Sequence, residues 1–153
     1  MCPTCHKKID KAEALYPREE LLSWKENHLN SLSLKKGIQH YEDRALTRRA
    51  IESLFAENKE IWDNYAPEDG RLFLYNPESE SAQIWERRVK GIIIPNHYTI
   101  KSIIEKNLDH LIENENEIFA KYTEHIRGLV ERHICEVPGS SIRYPNEMKD
   151  FLK

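Results

Sequence analysis

Long apolar runs are missing from this 153-residue chain: the most notable is Ile92-Ile93-Ile94, far short of the roughly 20 residues that cross a bilayer. No membrane span is expected. An excess of positive charge is missing too. Lysine and arginine number 23 against 26 aspartate and glutamate, a formal net charge of -3 with the histidines neutral. DNA is held largely through clustered Lys and Arg, so it would need a local basic patch here. Cysteine is scarce. Its three residues are an odd number for a disulfide framework, and two stand in a Cys-x-x-Cys pair that suits reduced thiolates kept for metal. No structural disulfide is expected. The sequence opens on no charged leader followed by an apolar stretch, which points to cytoplasmic residence. Internal repeats and low-complexity tracts are absent.

What is present suits one packed core under a heavily solvated surface, with 39% of residues apolar and 32% charged. Apolar residues recur at three- and four-residue spacing, without the period-2 alternation of strands. The expected fold class is therefore all-α, an irregular helical bundle with an N-terminal half zinc knuckle. A first helix is expected from Thr4 to Ala14, with Thr4 as its cap. Pro17 should sit in the first turn of a second, with Glu19 and Glu20 at the positive end of its dipole. Leu21, Leu22, Trp24, Leu29, Leu32 and Leu34 give that helix a mixed apolar stripe, and Gly37 should end it.

Glu42 to Tyr65 reads as the next helix, with Leu46, Ala50, Leu54, Ile61 and Trp62 inward, and Pro67 stops it. Pro, Asp, Gly and Asn then make 67–79 a long loop, with Leu72 to Tyr75 its one plausible extended piece. Ser79 or Ser81 should start a helix to Lys90. Gly91 to Pro95 should be an extended connection, because proline disfavours the helical region for Ile94. Asn96 then caps a helix to Asn107, and 108–112 continues or re-forms it. Glu115 to His133 carries the strongest pattern, with Ile118, Phe119, Tyr122, Ile126, Leu129 and Val130 on one side. After a loop at 138–141, Pro145 opens a short terminal helix with Met148, Phe151 and Leu152.

Cys2 and Cys5 are spaced so that both thiolates can turn onto one zinc in a knuckle. A structural zinc needs four ligands, and the sequence has no second Cys-x-x-Cys pair; His133 and Cys135 could in principle complete a site. The stretch from Met1 to His28 includes Cys2, Cys5, His6, Ile9, Asp10, Tyr16, Pro17, Glu20, Leu21, Leu22, Trp24 and Lys25. In that order it resembles the end of the HNH endonuclease domain of many bacterial proteins. Segments such as 56–62 and 94–97 resemble, more loosely, the helical region that trails this HNH type in bacterial proteins, some linked to phage defence or mobile elements.

The resemblance implies a division into residues 1–30, the C-terminal part of an HNH-like motif, and 31–153, a helical domain. It implies that His6 is a ligand of a divalent metal such as magnesium, and that Cys2 and Cys5 are half of a structural zinc site. It also implies DNA as substrate. The family's general-base histidine and β-hairpin would lie upstream of Met1, so no catalytic residue is assigned within the chain. One imidazole can help hold a cation but cannot also activate water. The motif then either belongs to a truncated frame, completed by a missing HNH half or a protein partner, or persists as packing in a degraded relative.

Other signals each carry two readings. Arg44, Arg48 and Arg49, with Lys35 and Lys36 nearby, could meet phosphates, or could form a solvated face paired with Glu42, Asp43 and Glu52. Arg87, Arg88 and Lys90, beside Trp85, could hold a nucleotide or strand by charge and stacking, or could simply be surface charge. His97, His110, His125 and His133 read as surface or capped histidines. Trp62 and Trp85 read as core anchors. Glu113, Glu115 and Glu117 have no calcium-loop pattern.

Overall fold

The computed structural model describes residues 17–66, 79–137 and 143–153, and the chain divides into two units, Met1–Gly37 and Ile38–Lys153. Among the described residues there is no strand, and the fold is all-α, an irregular bundle. The expected first helix (4–14), the loop 67–78 with its extended piece, and the loop 138–141 lie outside the described residues.

In the first unit, α1 (Arg18–Lys35) follows Pro17, whose extended ψ of 146° places it just before the first turn rather than inside it. Glu19 and Glu20 meet the helix N-terminus as expected. The helix closes with Lys36, then Gly37 at φ 71°, a left-handed position that glycine adopts without a Cβ penalty. None of its residues is buried. At about 100° per residue, Leu21, Leu22, Leu29 and Leu32 share one side, whereas Trp24 and Leu34 fall away from it.

The second unit starts with α2 (Arg44–Tyr65), whose N-terminus is capped by the Asp43 carboxylate accepting from Leu46 N–H at 2.8 Å. Its buried residues are Thr47, Ile51, Asn58 and Ile61, joined by half-buried Leu54, a 4-3-4-3 spacing that makes one continuous stripe. Leu46 and Trp62, expected inside, lie on the solvent side of this stripe.

Next comes α3 (Glu80–Arg88), capped by Ser79 Oγ accepting from Ala82 N–H at 3.2 Å. The expected extended connection is not there. A π-helical turn, Val89–Ile93, leads directly into α4 (Ile94–Glu105), and Ile94 has helical angles of φ -61° and ψ -49° despite the proline after it. Proline has no N–H to give and its ring crowds the carbonyl four residues back, which is Gly91. Widening the turn relieves that conflict, with Ile94 N–H reaching the Val89 carbonyl five residues back. The wider turn also puts Val89, Ile93 and Ile94 on one buried side with Trp85 and Ile61. Burial of that side overrides the local preference of Ile94.

A 3-10 turn, Leu108–His110, re-forms the chain after α4, and α5 (Glu113–His133) follows. A second 3-10 turn, Asn146–Lys149, brings in Met148, Phe151 and Leu152, all almost completely buried. They join Ile51, Ile100, Ile103, Ile104, Tyr122 and Ile126 in the larger core cluster. Helix α2 packs on α3 and α4, and α4 on α5.

The terminal turn is pinned by charge. Arg44 makes two 2.7 Å hydrogen bonds to the buried Glu115 carboxylate and donates to the carbonyls of His110 and Lys153. Glu115 also accepts from Leu152 N–H at 2.7 Å, fixing a leucine at φ 62°, a conformation that L side chains rarely adopt. Arg48 donates to the carbonyls of Met148, Lys149 and Phe151.

Candidate functional site

Asn107 follows the end of α4 with no exposed surface, and its carboxamide is fully used. Its Nδ2 donates to Ile103 O at 2.7 Å and to Gln39 O at 2.9 Å, while its Oδ1 accepts from Tyr41 N–H at 2.7 Å. One buried side chain therefore fastens the backbone on both sides of His40. The 3-10 turn that begins one residue later carries Asp109 and His110 to the same place.

His40 Nε2 lies 3.2 and 3.1 Å from the two Asp109 carboxylate oxygens, although 69 residues separate them. His110 Nε2 is 3.7 Å from Asp109 Oδ2, and the two imidazole centroids are 5.3 Å apart. The hydrogen bond from His40 holds the Asp109 carboxyl below the usual carboxylate range. Side-chain exposure is 56% for His40, 62% for Asp109 and 12% for His110, so the cluster opens to solvent on one side.

Behind it, the buried Thr47 Oγ1 sits 2.8 Å from His110 Nδ1, 3.0 Å from Asp43 O and 3.4 Å from Asn107 Oδ1. Asp43 O and Asn107 Oδ1 can only accept, so we assign the hydroxyl proton to that side and let His110 Nδ1–H donate to Thr47. His110 Nε2 then carries its lone pair toward Asp109. Ligand atoms of His40, Asp109 and His110 all lie within 4.8 Å of one another, a combination of two nitrogens and an oxygen that suits a borderline divalent ion.

Compared with protein-family models, curated proteins and solved structures, the chain matches none.

Of the residues that the sequence singles out, Cys2, Cys5 and His6 lie outside the described residues. Arg87 and Arg88 are exposed on α3, with the Arg88 guanidinium 5.9 Å from the Tyr65 ring centroid. Lys90, in the π turn, is bound by Glu86 at 2.6 Å. Trp85 is buried beneath them, where it cannot offer a face for stacking a base, and it meets the more exposed Trp62 edge-on at 5.5 Å. Arg44 and Arg48 follow neither reading wholly: they reach carbonyls of the terminal turn, and Arg44 pairs with Glu115 rather than with Glu42 or Asp43.

A second histidine group lies inside the core. His97 Nδ1 is 2.7 Å from the Tyr122 hydroxyl, and the rings of His125 and Tyr144 pack against His97 at 5.8 and 6.3 Å. Burial, helped by His125, pulls His97 down to about 3, and burial pushes Tyr144 up to about 12. His97, Tyr122 and Tyr144 therefore stay neutral near neutral pH. Of the two readings, surface or capped, His97 is not at the surface: it is a core residue whose Nδ1 is bonded to the Tyr122 hydroxyl. The sequence offered Asp109 and His110 as neighbours, but nothing in it linked them to His40.

Proposed function

We propose that residues 2–25 belong to an HNH-type nuclease system that hydrolyses DNA phosphodiesters with a divalent metal, and that cleavage needs a base which this motif does not itself hold. The observation that carries the proposal is the order of residues from Cys2 to Lys25, where the half knuckle, His6, Ile9-Asp10, Tyr16-Pro17 and Trp24-Lys25 follow one another as in that family. His6 would contribute a metal ligand and Cys2 and Cys5 half a structural zinc site, with the base supplied by a separate hairpin. DNA would be met by the exposed Arg87 and Arg88, as phosphate contacts without sequence preference.

A second reading, a helical interaction module that packs on a partner subunit, is favoured by α1. Leu22, Trp24, Leu29, Leu32 and Leu34 are all exposed large apolar residues on that helix.

Metal content of the purified chain separates the two. The nuclease reading expects one equivalent of bound zinc that Cys2→Ser/Cys5→Ser removes. Zinc content indifferent to those two substitutions overturns it and leaves the interaction module.

A further inference from the structure

We propose that His40, Asp109 and His110 form a binding site for a divalent ion of the zinc class, separate from the motif at residues 2–6. Three features of the geometry support it. Tetrahedral zinc with bonds of about 2.0–2.1 Å sets its ligand atoms roughly 3.3 Å apart. The His40–Asp109 separation of 3.1 Å and the His110–Asp109 separation of 3.7 Å already bracket that distance. The His40–His110 edge has to close, which the exposed His40 side chain can do by swinging, and His40 Nε2 has to give up the proton it shares with Asp109 when the ion binds.

The second feature lies behind the ligands. A histidine that binds metal through one nitrogen usually donates the other ring N–H to a fixed acceptor, which sets the tautomer and the ring's orientation. Thr47 is that acceptor for His110: fully buried, on α2, its own proton directed to the Asp43 carbonyl. The third is the backbone. Gln39 O and Tyr41 N–H are both bonded to Asn107, which stands two residues before Asp109, so the backbone of His40 is fixed against the turn that carries the other two ligands.

Three protein ligands, two imidazole nitrogens and one carboxylate oxygen, leave a fourth position. The exposed side of Asp109 opens it to solvent, so water completes the coordination. Such an ion joins the segment before α2 to the turn before α5 and should tighten the second unit.

The test uses the full chain carrying Cys2→Ser, Cys5→Ser and His6→Ala, so that the motif's ligands are gone. Titration calorimetry with zinc chloride is expected to give a single site. His40→Ala and Asp109→Asn, both at exposed positions, should each weaken it by about tenfold or more, and Thr47→Val by about 10- to 100-fold. Circular dichroism of the same variants checks that they remain helical, and Thr47→Ser should restore affinity. In the background chain zinc should also raise the melting temperature, an effect that His40→Ala removes. No zinc site in the background chain, or one whose affinity His40→Ala leaves unchanged, overturns the proposal.

Discussion

His97 shows what burial does to a single titratable side chain. It is 4% exposed, and burial with His125 nearby takes its imidazole from 6.5 to about 3. Between those values the unfolded chain takes up a proton that the folded chain refuses. Stability is therefore full above about pH 6.5 and falls as pH drops toward 3, by at most about 1.4 kcal/mol per pH unit from this group. Urea unfolding near pH 7 and near pH 5 should show wild type losing about 2 kcal/mol more than His97→Gln over that interval. Equal losses would mean that His97 is not held neutral by the fold.

Glu115 is the opposite case, a buried charge that is fully matched. Burial opposes its charged form, but Arg44 and the N–H groups of Leu152 and Ile112 hold its carboxyl below the ordinary value. Glu115→Ala strands those donors and releases the left-handed Leu152. The expected destabilisation is about 3 kcal/mol, read from chemical denaturation.

At the level of elements, the helices were legible where apolar spacing was regular. The long α5 begins within two residues of its expected start and ends at His133 as read, because Tyr122, Ile126 and their neighbours mark one side without interruption. The junction from α3 to α4 was not legible. Pro95 reads as a stop, and only the three-dimensional placement of Val89, Ile93 and Ile94 on Trp85 shows why the chain stays helical through it. Gly91 within that junction needs no glycine freedom: it lies in the helical run, and a Cβ there would meet nothing within 4 Å. Gly91→Ala should therefore stabilise the protein by about 0.5–1 kcal/mol. A melting temperature lowered by this substitution would show that the π turn demands glycine for a reason other than space.

For the whole molecule, the all-α bundle followed from periodicity alone, whereas the cluster at His40 did not. Its residues come from a segment before one helix and a turn before another, and the link between them is Asn107, a single polar residue with no pattern around it. Arg44 and Arg48 make the same point: a basic run on a helix reads as a solvated face or a surface for phosphates, and only the fold shows the terminal turn lying against it. The motif at Cys2, Cys5 and His6 is the reverse, readable as a string, and it carries the functional proposal. On that proposal His6 serves as a metal ligand and the base comes from a hairpin outside the motif. The direct measurement is DNA cleavage with magnesium or manganese, by the chain alone and with a histidine-bearing HNH hairpin fused in front of Met1. No cleavage by the chain alone and cleavage by the fusion that His6→Ala abolishes are expected; cleavage by the unfused chain that His6→Ala abolishes, or an inert fusion, would rule the nuclease reading out.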